Sequence, residues 1–497
     1  MTREILHRSI NRRSLLVAAF TTLLLNSRIV RAFGIDLELI NVILGRPTNN
    51  SIAISVLSTE ALDSYVEFGT SATKLTSKTG TTSLTSGTPA VIELKNLKSG
   101  VKYFYRVRTR SSGQTTFNTG KTNSFSTAKA AGKTFAFTVQ GDTHPERAGK
   151  MFNADLYTVT MNNISAQQPD FHILLGDDFS IDPLINKGQA NQAGVEDIYR
   201  THRSWLAISG GTIPIFLVNG NHEQAAAYLL DGTATNPAVL AGNARLKYFP
   251  LPAPDRFYSG DQTAIPNVGL PRDYYSWTWG DALFISLDPY WHSKQAVDNV
   301  AGVTNDQNVG GGKGGGGGSG KTTNLWDVGI GDEQYAWLKK TLETSKAKYK
   351  FVFAHHVLGT GRGAVEVSTN YEWGGKDPKG VSTFAKERPN WELPIHDLMV
   401  KNGVSIFFQG HDHIFVTQER DGIIYQSMPN PADDTFTMFN ENAYLSGVKA
   451  PNSGHVRVTV SPANAKVEYF LAARSQDSGR QNLSVAHSYL VNPKVSR

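Results

Sequence analysis

The chain has 497 residues, too many for one ordinary hydrophobic core, so at least two domains are expected. Its 40% apolar and 10% aromatic content is that of a globular protein, and without Cys it has neither a disulfide framework nor thiolate ligands, so any metal must sit on His, Asp, Glu or Asn. The formal charge of +6 is concentrated at the start: residues 1–32 hold six of the Arg and one of the Glu, and the remaining 43 basic and 42 acidic residues give no reason to expect nucleic acid or an anionic membrane as partner.

Arg3, Arg8, Arg12 and Arg13 precede an apolar run from Leu15 to Leu25, and Val30-Arg31-Ala32 offers a small-residue cleavage site. The run is too short to span a bilayer, so no integral membrane segment is expected after its removal. The segment Ser9-Ile10-Asn11-Arg12-Arg13-Ser14-Leu15-Leu16 resembles a bacterial twin-arginine export signal; the other reading is an ordinary secretory signal with two adjacent arginines. Residues 1–32 are read as an export signal, which makes the mature protein periplasmic or secreted.

From 33 to 128 the chain reads as short alternating strands, among them 51–57, 64–69, 90–94 and 102–108, separated by turns and rich in Thr and Ser. The regular spacing and lack of a helical period predict a β-sandwich similar to a fibronectin type III module, with no catalytic cluster and a packing or presentation role. Residues 128–133 form a small-residue linker. After it, strands alternate with helical segments such as 150–166 and 332–344, the latter with Asp332 as N-cap and Tyr335, Leu338 and Leu342 at helical spacing. That alternation predicts a layered α/β domain over 134–475. Runs 456–460 and 465–471 look like a closing hairpin, and 476–497 like a C-terminal tail.

Gly315 to Thr322 matches the phosphate-loop pattern G-x-x-x-x-G-K-T letter for letter. A working loop of that kind follows a buried strand, whereas this one follows Asn305-Asp306-Gln307-Asn308 inside a glycine tract. The Gly-rich insertion, 309–321, is therefore read as a flexible surface segment.

Five strand-like runs each end in metal-binding residue types. Thr134 to Gln140 leads to Gly141-Asp142-Thr143-His144; Phe171 to Leu175 to Gly176-Asp177-Asp178; Ile213 to Val218 to Gly220-Asn221-His222-Glu223; Lys350 to Ala354 to His355-His356; and Val404 to Gln409 to Gly410-His411-Asp412-His413. Open α/β sheets place their chemistry at the carboxyl edge of the strands. Each motif alone is weak, since Gly-Asp is often a turn and a lone His is often structural, but the ordered set is hard to obtain by chance.

The ordered set resembles the calcineurin-like metallophosphoesterase superfamily, over roughly Thr134 to Phe415. Within it the chain resembles the purple acid phosphatases, both in 274–288 and in 94–107, the latter similar to their N-terminal domain. The resemblance implies an αββα layered sandwich preceded by the all-β domain. It implies that Asp142, His144 and His413 hold one metal, that Asn221, His355 and His411 hold another, and that Asp177 bridges them. Mixed N and O donors suit Fe, Zn or Mn rather than Ca or Mg. It further implies hydrolysis of phosphate monoesters, by attack on phosphorus of a hydroxide held between the metals, with His222 as proton donor to the leaving group.

Beside these, Asp178 is a candidate to orient a ligand or a local turn carboxylate, and His356 to reach substrate or to pack. His172, inside its strand, is read as structural, and His396, in the helix-like segment 391–400, as a surface or core residue. The tyrosine that colours purple acid phosphatases is replaced by Ser180, and their first motif ends in Gly where this chain has His144, which argues against an iron–tyrosinate centre. Two other readings remain: a phosphodiesterase on the same fold, and a non-catalytic cell-envelope binding protein whose metal site is structural.

Overall fold

A computed structural model describes residues 39–224, 229–294, 325–357, 362–377 and 379–494; the expected export signal and Gly-rich insertion lie outside the described residues.

Period-two alternation builds the N-terminal region. In Lys102–Ser111, Tyr103, Tyr105, Val107 and Thr109 are buried while the intervening side chains are partly or fully exposed. This strand pairs antiparallel with Leu62–Gly69 at the centre of a six-stranded sheet, and Ile40–Gly45, Ile52–Ser58 and Ala90–Leu94 form a three-stranded one. Leu44, Ile54 and Val56 from the smaller sheet meet Val66, Tyr105 and Phe125 from the larger in one core. The expected all-β unit thus precedes the α/β domain.

Polar anchors fasten the two together. Arg203, wholly buried on helix Gln192–Gly210, donates to Asn41 Oδ1 and Ser55 O of the β region, each at 2.8 Å, and to Tyr248 O. Tyr105 OH donates to Gly211 O at 2.5 Å, and Tyr258 OH to Pro47 O at 2.5 Å. Removing the guanidinium strands two buried carbonyls, so Arg203→Ala should lower unfolding free energy by roughly 2–4 kcal/mol. An unchanged urea midpoint would show that the fastening lies elsewhere.

The α/β domain is two sheets face to face. One runs in the order 215–217, 171–174, 135–140, 454–460, 465–471, 485–491; the other has eight strands, with 282–286, 349–353, 406–409 and 423–427 parallel at its centre. Alternate residues point between the sheets: Phe137, Phe171, Phe216, Trp277, Phe284, Phe351 and Phe408 pack there. The opposite faces carry Leu174, Ile215 and Leu217 against helices Ala154–Gln167, Gln192–Gly210 and Pro237–Tyr248, and Ile285, Val352 and Phe407 against helices Gly331–Thr344 and Ile395–Lys401. This is the expected four-layer arrangement.

Two local expectations fail. Asp332 is not an N-cap: helix Gly331–Thr344 begins one residue earlier, with Ile330 at the cap position, and Asp332 Oδ1 accepts instead from Trp391 Nε1 at 2.7 Å. Nor is 476–497 simply a tail, because Val485–Val491 pairs antiparallel with Ala465–Leu471 and forms an edge of the six-stranded sheet.

Candidate metal centre

The five loops converge because the strands feeding them are in register. Gln140, Leu174 and Leu217 are partners at the ends of three parallel strands, as are Phe353 and Phe408 in the other sheet. The residues that follow therefore leave both sheets at one rim, and all seven expected ligands are buried there.

Two groups form. Asp142, His144 and His413 bring ligand atoms within 4.8 Å of one another, and so do Asp177, His355 and His411. Inside the first, His144 Nε2 and His413 Nε2 are 3.1 Å apart; inside the second, His411 Nδ1 and His355 Nε2 are 3.3 Å apart. Asp177 touches both, its Oδ2 lying 3.1 Å from His355 Nε2 and 3.4 Å from His144 Nε2. Asn221 sits in the loop that wraps Asp177, where His222 N–H donates to Asp177 Oδ1 at 2.9 Å, and its side-chain oxygen is buried without a hydrogen-bond partner.

The backbone is bent to make this convergence. His144, Asp177, His411 and His413 have φ of 50°, 59°, 67° and 54°, a left-handed conformation that non-glycine residues rarely adopt, at about 1–3 kcal/mol each. Four such residues among the seven expected ligands mark a place where geometry has overridden local preference. Glycines permit the close approach: a Cβ on Gly410 would lie 2.6 Å from Asp142 Oδ2, and one on Gly220 would collide with Asp177 Oδ1. Gly410→Ala should therefore displace Asp142 and cut metal affinity at least tenfold, about the loss from a missing outer partner; calorimetric titration with Zn2+ or Mn2+ would check this.

Residues 135–415, over half of the chain, match the calcineurin-like phosphoesterase family. The chain belongs to that family. A solved structure of PhoD is similar over 91% of this chain and 90% of its own, at 16% identity and a TM-score of 0.62, which supports the same fold. A structure described as GAP50, the anchor in the inner membrane complex of Plasmodium, matches 73% of this chain and 90% of its own at 13% identity, with a TM-score of only 0.34. A sequence search of curated proteins returns no match.

Membership in the calcineurin-like phosphoesterases implies divalent metal ions and a phosphate ester substrate, and the residues present fit such ions. Imidazole nitrogens facing each other at 3.1 and 3.3 Å can share at most one proton per pair, and the orphaned Asn221 oxygen adds a neutral donor. Burial, then Arg147, holds His144 well below the usual histidine range, and burial, then Arg362, does the same to His411; at His355 burial is outweighed by Asp177 and Asp142, which raise it to about 10. Neutral imidazoles are the form that ligates.

In this phosphoesterase several orienting residues went unread in the sequence. Glu146, two residues after His144, accepts from its Nδ1 at 2.8 Å, so Nε2 faces the centre; burial raises the Glu146 carboxyl to about 7. His355 is aimed likewise by Leu175 O, 2.7 Å from Nδ1. Glu223, the neighbour of His222, accepts from the backbone N–H groups of Asp177 (2.8 Å), Phe179 (3.0 Å) and Gly220 (2.7 Å), and of Asp178, tying together the two loops that carry Asp177 and Asn221. The signal for Glu146 was its place in Asp-Thr-His-Pro-Glu; no pattern marked Glu223 as a clamp.

The remaining candidates find plain roles. Asp178 accepts from Thr143 Oγ1 at 2.7 Å and so steadies the loop between Asp142 and His144; burial, then Glu223, pushes its carboxyl well up. His222 Nδ1 pairs with Asp182, and its Nε2 lies 3.9 Å from Asp177 Oδ2 and 3.4 Å from Arg147 Nη2. Burial opposes its charge, but Asp177 and Asp182 outweigh burial and raise it to about 9. His356 stacks on His411 with 4.7 Å between ring centroids and meets Tyr290 OH at 3.0 Å, forming a wall. His172 bonds Thr138 and Gln140, and His396 bonds Tyr425 and Asp421, so both are structural.

Proposed function

We propose that the chain is an exported phosphate monoesterase working with two metal ions, Fe, Zn or Mn, at this rim. Asp142, His144 and His413 would hold one ion, Asn221, His355 and His411 the other, and Asp177 both. The observation that carries this reading is the single Asp177 oxygen lying 3.1 and 3.4 Å from histidines of opposite groups, since a shared carboxylate offsets repulsion between two close cations. When bound, such ions polarise a phosphoryl oxygen and acidify water.

The chain's own residues supply the rest. Arg147 and His222 present two cationic groups 3.4 Å apart at the edge of the centre, an arrangement that favours an anion such as a phosphoryl oxygen between them. His222, its ring fixed from behind by Asp182, donates its Nε2 proton to the departing alkoxide. The buried walls of His356 and Tyr290 limit water on the opposite side.

Metal analysis of purified protein, combined with assays on aryl phosphate mono- and diesters, tests this. Faster monoester turnover supports the reading; a preference for diesters would replace it with a phosphodiesterase, and bound metal without turnover of either would favour a binding role. Export rests on Arg12 and Arg13. Changing both to Lys should retain the precursor in the cytoplasm, as fractionation would reveal. Among the described residues no helix is long and apolar enough to cross a membrane.

A further inference from the structure

Outside the rim, a second group of ligand-type side chains has no role in the reading above. Asp261 follows the short strand Ser259–Gly260, and Asp273 precedes its antiparallel partner Tyr275–Trp279, so a hairpin at the edge of the eight-stranded sheet brings the two carboxylates together. Backbone closes the pair, with Asp261 N–H donating to Tyr274 O at 3.1 Å. His292 reaches them from the loop after strand Ala282–Ser286, and ligand atoms of all three lie within 4.8 Å of one another.

Asp261 is 1% exposed and Asp273 fully buried, yet Asp261 Oδ2 and Asp273 Oδ1 have no hydrogen-bond partner. Buried carboxylate oxygens left bare are costly. The contacts that do exist fall short: His292 Nε2 lies 2.8 Å from Asp273 Oδ2, and Thr263 N–H donates to Asp261 Oδ1 at 2.8 Å. Among the described residues neither carboxylate has a Lys or Arg ion-pair partner. The elements packed around carry further carboxyl groups, Asp288 from the same loop as His292 and Glu333 from helix Gly331–Thr344, which accepts from Thr263 Oγ1 at 2.9 Å. A single imidazole thus faces a set of carboxyl groups.

We propose that Asp261, Asp273 and His292 form a separate binding site for one divalent transition ion, Zn2+ or Mn2+. An imidazole beside two carboxylates suits that series and disfavours Ca2+ and Mg2+. The partly exposed edge of His292 leaves room for water to complete the shell.

The position gives the ion a bracing role. Between the two sites runs the segment 288–292: Asp288 Oδ2 accepts from Asn219 Nδ2 at 2.5 Å, close to the Asn221 loop, and Tyr290 OH meets His356, which stacks on His411. An ion on His292 pins the far end of that segment.

The test is metal content of the full protein loaded with Zn2+ or Mn2+ and then desalted. Asp273→Asn and Asp261→Asn should each carry about one ion per chain fewer than the parent, and Asp177→Ala should still retain about one. Equal content in parent and Asn variants would overturn the proposal. Should the Asn variants fail to fold, anomalous scattering at the zinc edge from crystals of the parent decides: a peak among the three side chains supports the site, and its absence with Zn2+ in excess removes it.

Discussion

Asp177→Ala should lose the ions of the rim and phosphoester hydrolysis together. Its Oδ2 lies 3.1 and 3.4 Å from histidines of the two groups, closer than Asp142 Oδ1 at 3.5 Å from each, and its Oδ1 also holds the His222 N–H at 2.9 Å. On the proposed reading, removing it deletes a shared ligand and frees the loop carrying Asn221 and His222. The fall in activity should exceed the roughly 10–100-fold expected from loss of an outer partner. Asp177→Asn separates the two effects, because its amide oxygen can still accept from His222 N–H while the negative charge is gone. Near-normal metal content and turnover in both variants would remove the bridging assignment.

The second large effect is expected at His222, with the opposite signature. His222→Ala should leave the ligand atoms of both groups in place, keep the bound ions, and lower kcat roughly a hundredfold or more. Asp182→Asn should give a smaller fall, since the ring loses the negative charge of its partner at Nδ1 but keeps an acceptor there and its position against Arg147. The loss should shrink for substrates whose leaving group is a weak base and needs no proton. An unchanged rate for an alkyl phosphate in His222→Ala would end the proton-donor assignment.

Most of the fold was legible because the strands announce themselves twice, once by β-branched and aromatic composition and once by the Gly and donor residues that follow them. Gly176, Gly220 and Gly410 each occupy a close approach that a side chain would block, so the glycines beside these donors carried physical information. The convergence of the seven candidate ligands was legible for the same reason. Glu146 and Glu223 were harder, because an orienting carboxylate works through backbone N–H groups and ring nitrogens that any nearby acidic residue could reach. Asp182 lies 40 residues from His222 and is joined to it only by the fold. The edge strand Val485–Val491 was missed because only Val491 is fully buried, so its residues show little hydrophobic alternation. Asp261, Asp273 and His292 were invisible in a sequence where each stands alone among turn residues.

The donors at the rim are held by the protein itself. Leu175 O fixes His355, Glu146 fixes His144, His411 N–H donates to both Asp142 oxygens at 2.9 Å, and Glu223 gathers the amides of two loops. A pocket preassembled in this way spends little ordering entropy when ions arrive, so chelation should be reversible: stripped enzyme keeps its tertiary circular dichroism and regains turnover on simple readdition, without a refolding step.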